Sequence, residues 1–296
     1  MTFDALLNAA AKRLADAGSP SPRRDAELLM MHAAGCELTW LYTWGDRDCE
    51  PWARARFEAL IAARAQGEPV AYLTGEREFW GLPLLTSRHT LIPRADTETL
   101  VEAALARAGA ASGQFLDLGT GTGAIALAFA SERPNWQVSG LDLRIDAVAL
   151  AEQNAARLAL ENANFIQSDW FEALAQEDVA PRFDIIVSNP PYIDEADPHL
   201  SQGDVRFEPR SALVAAGEGL ADLLHLVCCA REYLEQGGWL LLEHGYRQAD
   251  AVRQALSSAG YLDVESLVDL GGHARVTLGR MPASIEGAKN YQGEHS

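Results

Sequence analysis

Apolar residues recur at helical spacing through the first quarter of the chain. Phe3, Leu6, Leu7, Ala10 and Leu14 share one face, and Gly18 stands where that face ends, which predicts an amphipathic helix with a glycine stop. Ser21-Pro22 offers an N-cap and a first-turn proline for a second helix ending near Gly35. Thr39 is placed to cap a short helix bearing Trp40 and Trp44, and Pro51 to Gln66, with Gly67 behind it, makes another. Residues 1–75 therefore read as a small all-helical domain. It carries no cluster of chemical side chains, so packing or partner recognition is its expected task.

Residues 76–95 change the pattern. Glu78-Phe79-Trp80 and Leu82 to Leu85 read as two short strands around Gly81, a hairpin linker. Asp96 or Thr97 then starts a helix carrying Leu100, Val101, Ala104 and Leu105. From Gln114 the chain alternates apolar strands and amphipathic helices. Strands are expected at 115–118, 137–142, 164–167, 183–188, 239–243, 264–270 and 275–279, with helices such as 145–160 and 219–234 between them. This predicts an α/β fold with a Rossmann-like, doubly wound sheet of seven strands over residues 96–280. Gly271-Gly272 leaves no room for a helix between the last two strands, so that pair is expected to be antiparallel. The polar stretch 281–296 is expected to be a disordered tail.

Composition narrows the function classes. Hydrophobic residues make up 48% of the 296, enough for a sizeable core. No apolar run approaches the ~18–20 residues of a membrane span, and the first 18 residues lack the features of a secretory signal. The four cysteines, Cys36, Cys49, Cys228 and Cys229, form no metal-binding or disulfide spacing, which fits a reducing cytoplasm and no metal. The formal net charge is −18. The first 75 residues hold 8 basic and 10 acidic side chains, so the acidity belongs to the rest of the chain, with 16 and 32. Such a surface repels phosphate backbones and argues against direct nucleic-acid binding.

The candidate chemistry lies at the carboxyl ends of the strands. Asp117-Leu118-Gly119-Thr120-Gly121-Thr122-Gly123 sits between the first strand of the sheet and an apolar helix. Glycines there let a ligand approach the backbone, and the helix N-terminus offers free N–H groups. The spacing and the missing lysine exclude a P-loop. Asp142 ends the next strand, where a carboxylate can accept both hydroxyls of a ribose, or alternatively cap the following helix. Asp169-Trp170 borders the same crevice. The indole can stack on adenine, and Asp169 can accept from its amino group; core packing is the other reading of Trp170.

Ser188-Asn189-Pro190-Pro191-Tyr192 after the fourth strand is the most specific pattern. Two successive prolines remove two donors, fix two φ angles and force their predecessors out of the helical region. The resulting rigid loop presents the Asn189 side-chain oxygen and the Pro190 carbonyl to the two N–H bonds of an NH2 group, and Tyr192 offers a flat face to a planar substrate. An amide or arylamine nitrogen is a poor nucleophile because its lone pair is delocalised. It gains positive charge as it attacks a methyl carbon, so two fixed acceptors bind it more tightly in the transition state. The pattern therefore predicts methyl transfer to a planar nitrogen. An NAD-dependent oxidoreductase would share the glycine loop and Asp142 but leaves the Asn-Pro-Pro-Tyr turn unexplained. A catalytically silent binding module is the remaining rival.

At this point the sequence resembles the release factor glutamine methyltransferases. The likeness is densest from about Glu78 to Gly279. It rests on Phe79-Trp80-Gly81, Leu91-Ile92-Pro93-Arg94-Ala95-Asp96-Thr97-Glu98, the Asp117–Gly123 loop, Asn189-Pro190-Pro191-Tyr192-Ile193, Val205-Arg206-Phe207-Glu208-Pro209 and Ala212-Leu213. Asn-Pro-Pro-Tyr alone is shared with N6-adenine methyltransferases of nucleic acid, the alternative function. Ala95 departs from the family's usual second proline. The resemblance implies a class I methyltransferase sheet and S-adenosylmethionine as cofactor. It implies Gly119, Thr120, Gly121, Thr122, Gly123, Asp142, Trp170 and Asn189 as cofactor contacts. Asn189, Pro190, Pro191 and Tyr192 become the substrate contacts, with Asn189, Pro190 and Tyr192 carrying the chemistry. It also implies methylation of the glutamine amide nitrogen (N5) in the Gly-Gly-Gln loop of class-I peptide-chain release factors, by a cytoplasmic monomer whose helical N-terminal domain docks the protein substrate.

Overall fold

In the computed structural model, residues 1–109 and 111–283 are described. Five helices open the chain: α1 (Phe3–Asp16), α2 (Pro22–Ala34), α3 (Leu38–Trp44), α4 (Pro51–Ala65) and α5 (Val70–Thr74). Their apolar faces, with Leu7, Leu14, Leu29, Met30, Leu41 and Phe57 fully buried, close a core of their own. Two expected caps differ. Glu37, not Thr39, precedes α3. The Ser21 hydroxyl bonds the Asp25 carboxylate at 2.8 Å instead of an α2 backbone N–H, although Pro22 does open the helix. Asp25 thus becomes the hub of a buried network, receiving Ser19 and the Arg64 guanidinium, each at 2.8 Å.

The hairpin consists of β1 (Glu76–Phe79) and β2 (Leu82–Leu85), paired antiparallel with Phe79 opposite Leu82. Trp80 is not in the strand as expected. It and Gly81 form a two-residue turn with φ of 55° and 70°, the left-handed twist that tight hairpins require. A 3₁₀ turn, Ala95–Thr97, leads into α6 (Glu98–Arg107).

The remaining elements are β3 (Gln114–Leu118), α7 (Ala124–Glu132), β4 (Gln137–Asp142), α8 (Ile145–Leu158), β5 (Ala163–Gln167), β6 (Phe183–Ser188), α9 (Ala221–Cys229), β7 (Leu234–Glu243), α10 (Ala249–Ser258), β8 (Leu262–Val268) and β9 (Ala274–Arg280). The seven-stranded sheet has the order β5-β4-β3-β6-β7-β9-β8. Pairings from β5 to β7 are parallel; β9 runs antiparallel to both β7 and β8. The expected sheet and its antiparallel end pair are present. The helix expected at 219–234 is shorter, because a 3₁₀ turn at Ala230–Glu232 breaks it and β7 begins at Leu234. β8 starts at Leu262 and ends at Val268, leaving Leu270 in the exposed turn.

Strand residues alternate between two cores, and both are apolar because helices cover both faces. Phe115, Ile185, Val187 and Leu241 face α6, α7 and α8. Leu116, Leu118, Ile186, Leu240 and Leu242 face α9 and α10. Of the expected tail, Met281 exchanges backbone hydrogen bonds with Gly237 and Gly238; residues 284–296 lie outside the described residues.

Candidate active site

The chain leaves β3 toward β4 and β5, then returns to the other side of β3 as β6. The crevice at such a reversal, at the carboxyl ends of the strands, is where doubly wound sheets hold ligands. Leu118 and Ser188 are register partners across β3 and β6, and the Ser188 hydroxyl donates to the Leu118 carbonyl at 2.7 Å. Gly119 and Asn189, the next residues, therefore emerge side by side at the mouth of one pocket.

The glycine loop is tied down from beneath. Gly119, Gly121 and Gly123 have φ of 72°, 57° and 80°, a conformation that costs residues with a Cβ but not glycine. The N–H groups of Gly119 and Thr120 both donate to the Leu141 carbonyl. Gly121 donates to Oδ2 of Asp142 at 2.9 Å, and Arg144 to Oδ1 at 2.9 Å. Asp142 so reads as loop brace and helix anchor together, and burial pushes its pKa upward. Asp117 lies under the loop, fully buried; its Oδ2 accepts from the Thr120 hydroxyl at 2.7 Å and from the Ala126 N–H at 3.3 Å. Burial raises Asp117 to about 7, against the pull of those two donors.

Gly119, Thr120, Gly121 and Thr122 line the pocket, as do Asp142, Asp169, Trp170, Asn189 and Pro191. Trp170 holds a left-handed φ of 46°, an uncommon backbone state for a bulky residue and one that clusters at ligand sites. Its ring edge passes 3.8 Å from the point where a side chain on Gly119 would begin. Gly123 lies below the pocket, closed over by Ala151, Leu127 and Phe165. Pro190 is buried and does not line the pocket. Tyr192 also stands behind the wall; its hydroxyl turns inward to donate to Glu243 at 3.3 Å.

Several pocket residues carried no expected role. Thr97, Thr90 and Arg94 come from the stretch before α6, and Asp222 from α9. Asn189 Nδ2 donates to the Thr97 hydroxyl at 3.3 Å, and Asn189 lines the pocket. Asn154 on α8 takes the Leu85 N–H at 2.7 Å and gives to the carbonyls of Leu85 and Thr122, joining hairpin to loop. Glu208 braces the segment before α6, accepting from the Ile92 N–H at 2.9 Å and pairing with Arg94. Asp142, Asp169 and Asp222 give the pocket three carboxylates, and its two arginines, Arg94 and Arg144, are paired with Glu208 and Asp146. Carboxylates and an indole face suit a cationic nucleoside amino acid. Among the described residues no group of side chains is arranged to hold a metal ion, and no helix is long and apolar enough to cross a membrane.

Comparison with known proteins places this architecture. A model described as the PrmC N-terminal domain matches residues 5–75, and one described as a methyltransferase domain matches residues 110–271. The release factor glutamine methyltransferase of Vibrio cholerae serotype O1 is 54% identical over 286 residues, spanning 97% of this chain and 99% of that protein. Its namesake from Escherichia coli strain K12 is 55% identical over 262 residues, spanning 88% and 93%. The crystal structure of a methyltransferase from Pyrococcus furiosus superposes with a TM-score of 0.52 at 17% identity, over 76% of this chain and 98% of the other, a likeness of fold.

Proposed function

This chain belongs to the release factor glutamine methyltransferases, and from that premise we propose how its residues divide the work. The reaction moves the methyl group of S-adenosylmethionine to the side-chain amide nitrogen (N5) of a glutamine, that of the Gly-Gly-Gln loop in class-I peptide-chain release factors. When bound, S-adenosylmethionine supplies an electrophilic methyl carbon on a sulfonium centre. Gly119 to Thr122 and Asp142 hold its ribose and amino-acid part, and Trp170 walls the base; Gly123 shapes the turn from beneath. The acidic lining favours the positive charge.

The observation that carries the reading is the orientation of Asn189. Its Nδ2 is spent on Thr97, so its Oδ1 is free to accept one N–H of the incoming amide; the Pro190 carbonyl, joined to pocket-lining Pro191, takes the other although the Pro190 ring is buried. Both contacts strengthen as the nitrogen gains charge and loses planarity. They also aim its lone pair along the line of transfer. Pro191 supports the planar substrate from the pocket wall, and Tyr192 keeps the turn in place from behind. No general base is needed before transfer, since the methylated nitrogen loses its proton afterwards.

Residues 1–75 act as the docking domain, residues 76–95 as the linker and residues 96–280 as the catalytic domain, the enzyme working as a cytoplasmic monomer that makes no direct contact with nucleic acid. Mass spectrometry of a release factor after incubation with the protein and labelled cofactor tests the whole reading. One added methyl on the glutamine-bearing peptide is expected; label on any other residue, or none, would refute it.

A further inference from the structure

Behind the Asn189 turn lies an acid for which methyl transfer, as described, has no task. Glu243, the last residue of β7, is 1% exposed. Its Oε1 accepts from Tyr192, while Oε2 has no hydrogen-bond partner of regular geometry among the described residues. The Thr97 hydroxyl lies close enough to the same carboxylate to favour its ionised form. Glu243 is not on the pocket wall, whereas Thr97 and Asn189 are.

We propose that Glu243 is a positioning residue which, through Thr97, fixes the face that the Asn189 amide presents to the substrate. This rests on the reading that Asn189 accepts an N–H of the substrate amide. The oxygen and nitrogen ends of an asparagine are nearly alike in shape, and the wrong end would set NH2 against NH2. A threonine hydroxyl has one hydrogen. When that hydrogen points to a carboxylate, only lone pairs face Asn189, which must then donate through Nδ2 and turn Oδ1 to the pocket. A protonated Glu243 reverses the chain: it donates to Thr97, Thr97 donates to Oδ1, and the amide turns over. Tyr192, held by the same carboxylate, keeps the Asn-Pro-Pro turn in register with this arrangement.

The relay is therefore sensitive to proton concentration. Burial raises Glu243 to about 7, opposed by the Thr97 hydroxyl, the Arg275 charge and the Tyr192 hydroxyl, and helped by Asp96. The neighbouring His244 does not face it, since its ring bonds Thr277 at 2.6 Å. Glu243 is ionised above that value and protonated below it, so the productive amide orientation is lost as pH falls.

The test uses the full-length protein, a release factor and S-adenosylmethionine, with turnover measured against pH and cofactor affinity by calorimetry. Wild-type turnover should fall on the acid side with a midpoint of about 7. Thr97→Val should lower kcat on the order of tenfold, the worth of one orienting hydrogen bond, and flatten that acid limb while cofactor affinity holds. Thr97→Ser should restore both rate and limb, and Glu243→Gln, of equal volume, should show no limb even if the valine variant fails to fold. A Thr97→Val variant with the wild-type rate, or a Glu243→Gln variant with the wild-type limb, overturns the proposal while methylation of the release factor stands. A wild-type protein that leaves the release factor unmethylated overturns the underlying reading and this proposal with it.

Discussion

In the proposed mechanism Asn189 matters because its acceptor is aimed before substrate arrives. Asn189→Ala removes an acceptor used most fully in the transition state, so kcat should fall by about 10²–10³-fold, by analogy with deletion of a single oxyanion donor. Cofactor affinity should change far less; radiolabel transfer at saturating cofactor, set beside calorimetry, separates the two effects. Asp117 poses a different residue-scale question, since it sits fully buried with Oδ1 unpartnered among the described residues. Burial lifts its pKa to about 7, so the folded chain keeps a proton that the unfolded chain releases near pH 4. Stability should therefore fall as pH rises through roughly 4 to 7 and level off above. Glu243 contributes in the same direction. Asp117→Asn should lessen that slope in urea-melt midpoints measured across this range, Glu243 and the other buried carboxyls whose pKa is raised keeping the rest. An unchanged slope would mean that Asp117 is ionised throughout.

Elements were far easier to read in the sequence than the bonds that join them. The apolar strands and the glycine, proline and asparagine signals between them are local, so sheet, helices, glycine loop and Asn-Pro-Pro-Tyr turn were all visible. Helix α5 was not, because five residues give no periodicity. The Trp80 turn was not, because nothing in an indole signals a positive φ. Asn154 and Thr97 acquire their roles only by tertiary meeting, across 69 positions to Leu85 and 92 positions to Asn189. Tyr192 was expected to offer its face to the substrate; its tether to Glu243 depends on a strand 51 positions away. Asn154 shows what such a meeting is worth. It makes three hydrogen bonds, one buried and two part-buried, that hold β2 and the Thr122 end of the glycine loop against α8. Asn154→Ala should cost ~2–4 kcal/mol of stability, since backbone groups are left unpaired, and weaken cofactor binding with it. Denaturant titration with and without cofactor checks both effects.

At the scale of the molecule, the helical domain is clamped to the sheet domain by charge. Arg64 on α4 is buried and bridges Asp25 of its own domain at 2.8 Å and Asp204 of the other at 2.7 Å, and Arg206 reaches back to the Gln66 carbonyl at 2.7 Å. The helical domain also shows solvent a group of aromatics, Tyr42, Trp44 and Trp52, exposed by 64%, 40% and 61%. Exposed tryptophans of this kind are favoured anchors for protein partners. Replacing Trp44 and Trp52 together by Ala should raise KM for intact release factor by about tenfold and leave a short Gly-Gly-Gln peptide unaffected. Equal change on both substrates, measured by initial rates, would mean that these rings do not touch the partner. The strand order has its own consequence for how the chain assembles. β9 lies between β7 and β8 although it follows both, so β8 finds no neighbour in the sheet until the last strand arrives. Until β9 pairs with it, alone or as a hairpin with β8, β7 is a bare edge, open to pairing with another unfinished chain. The end of the sheet farthest from the glycine loop is thus the last part of the sheet to become safe from aggregation.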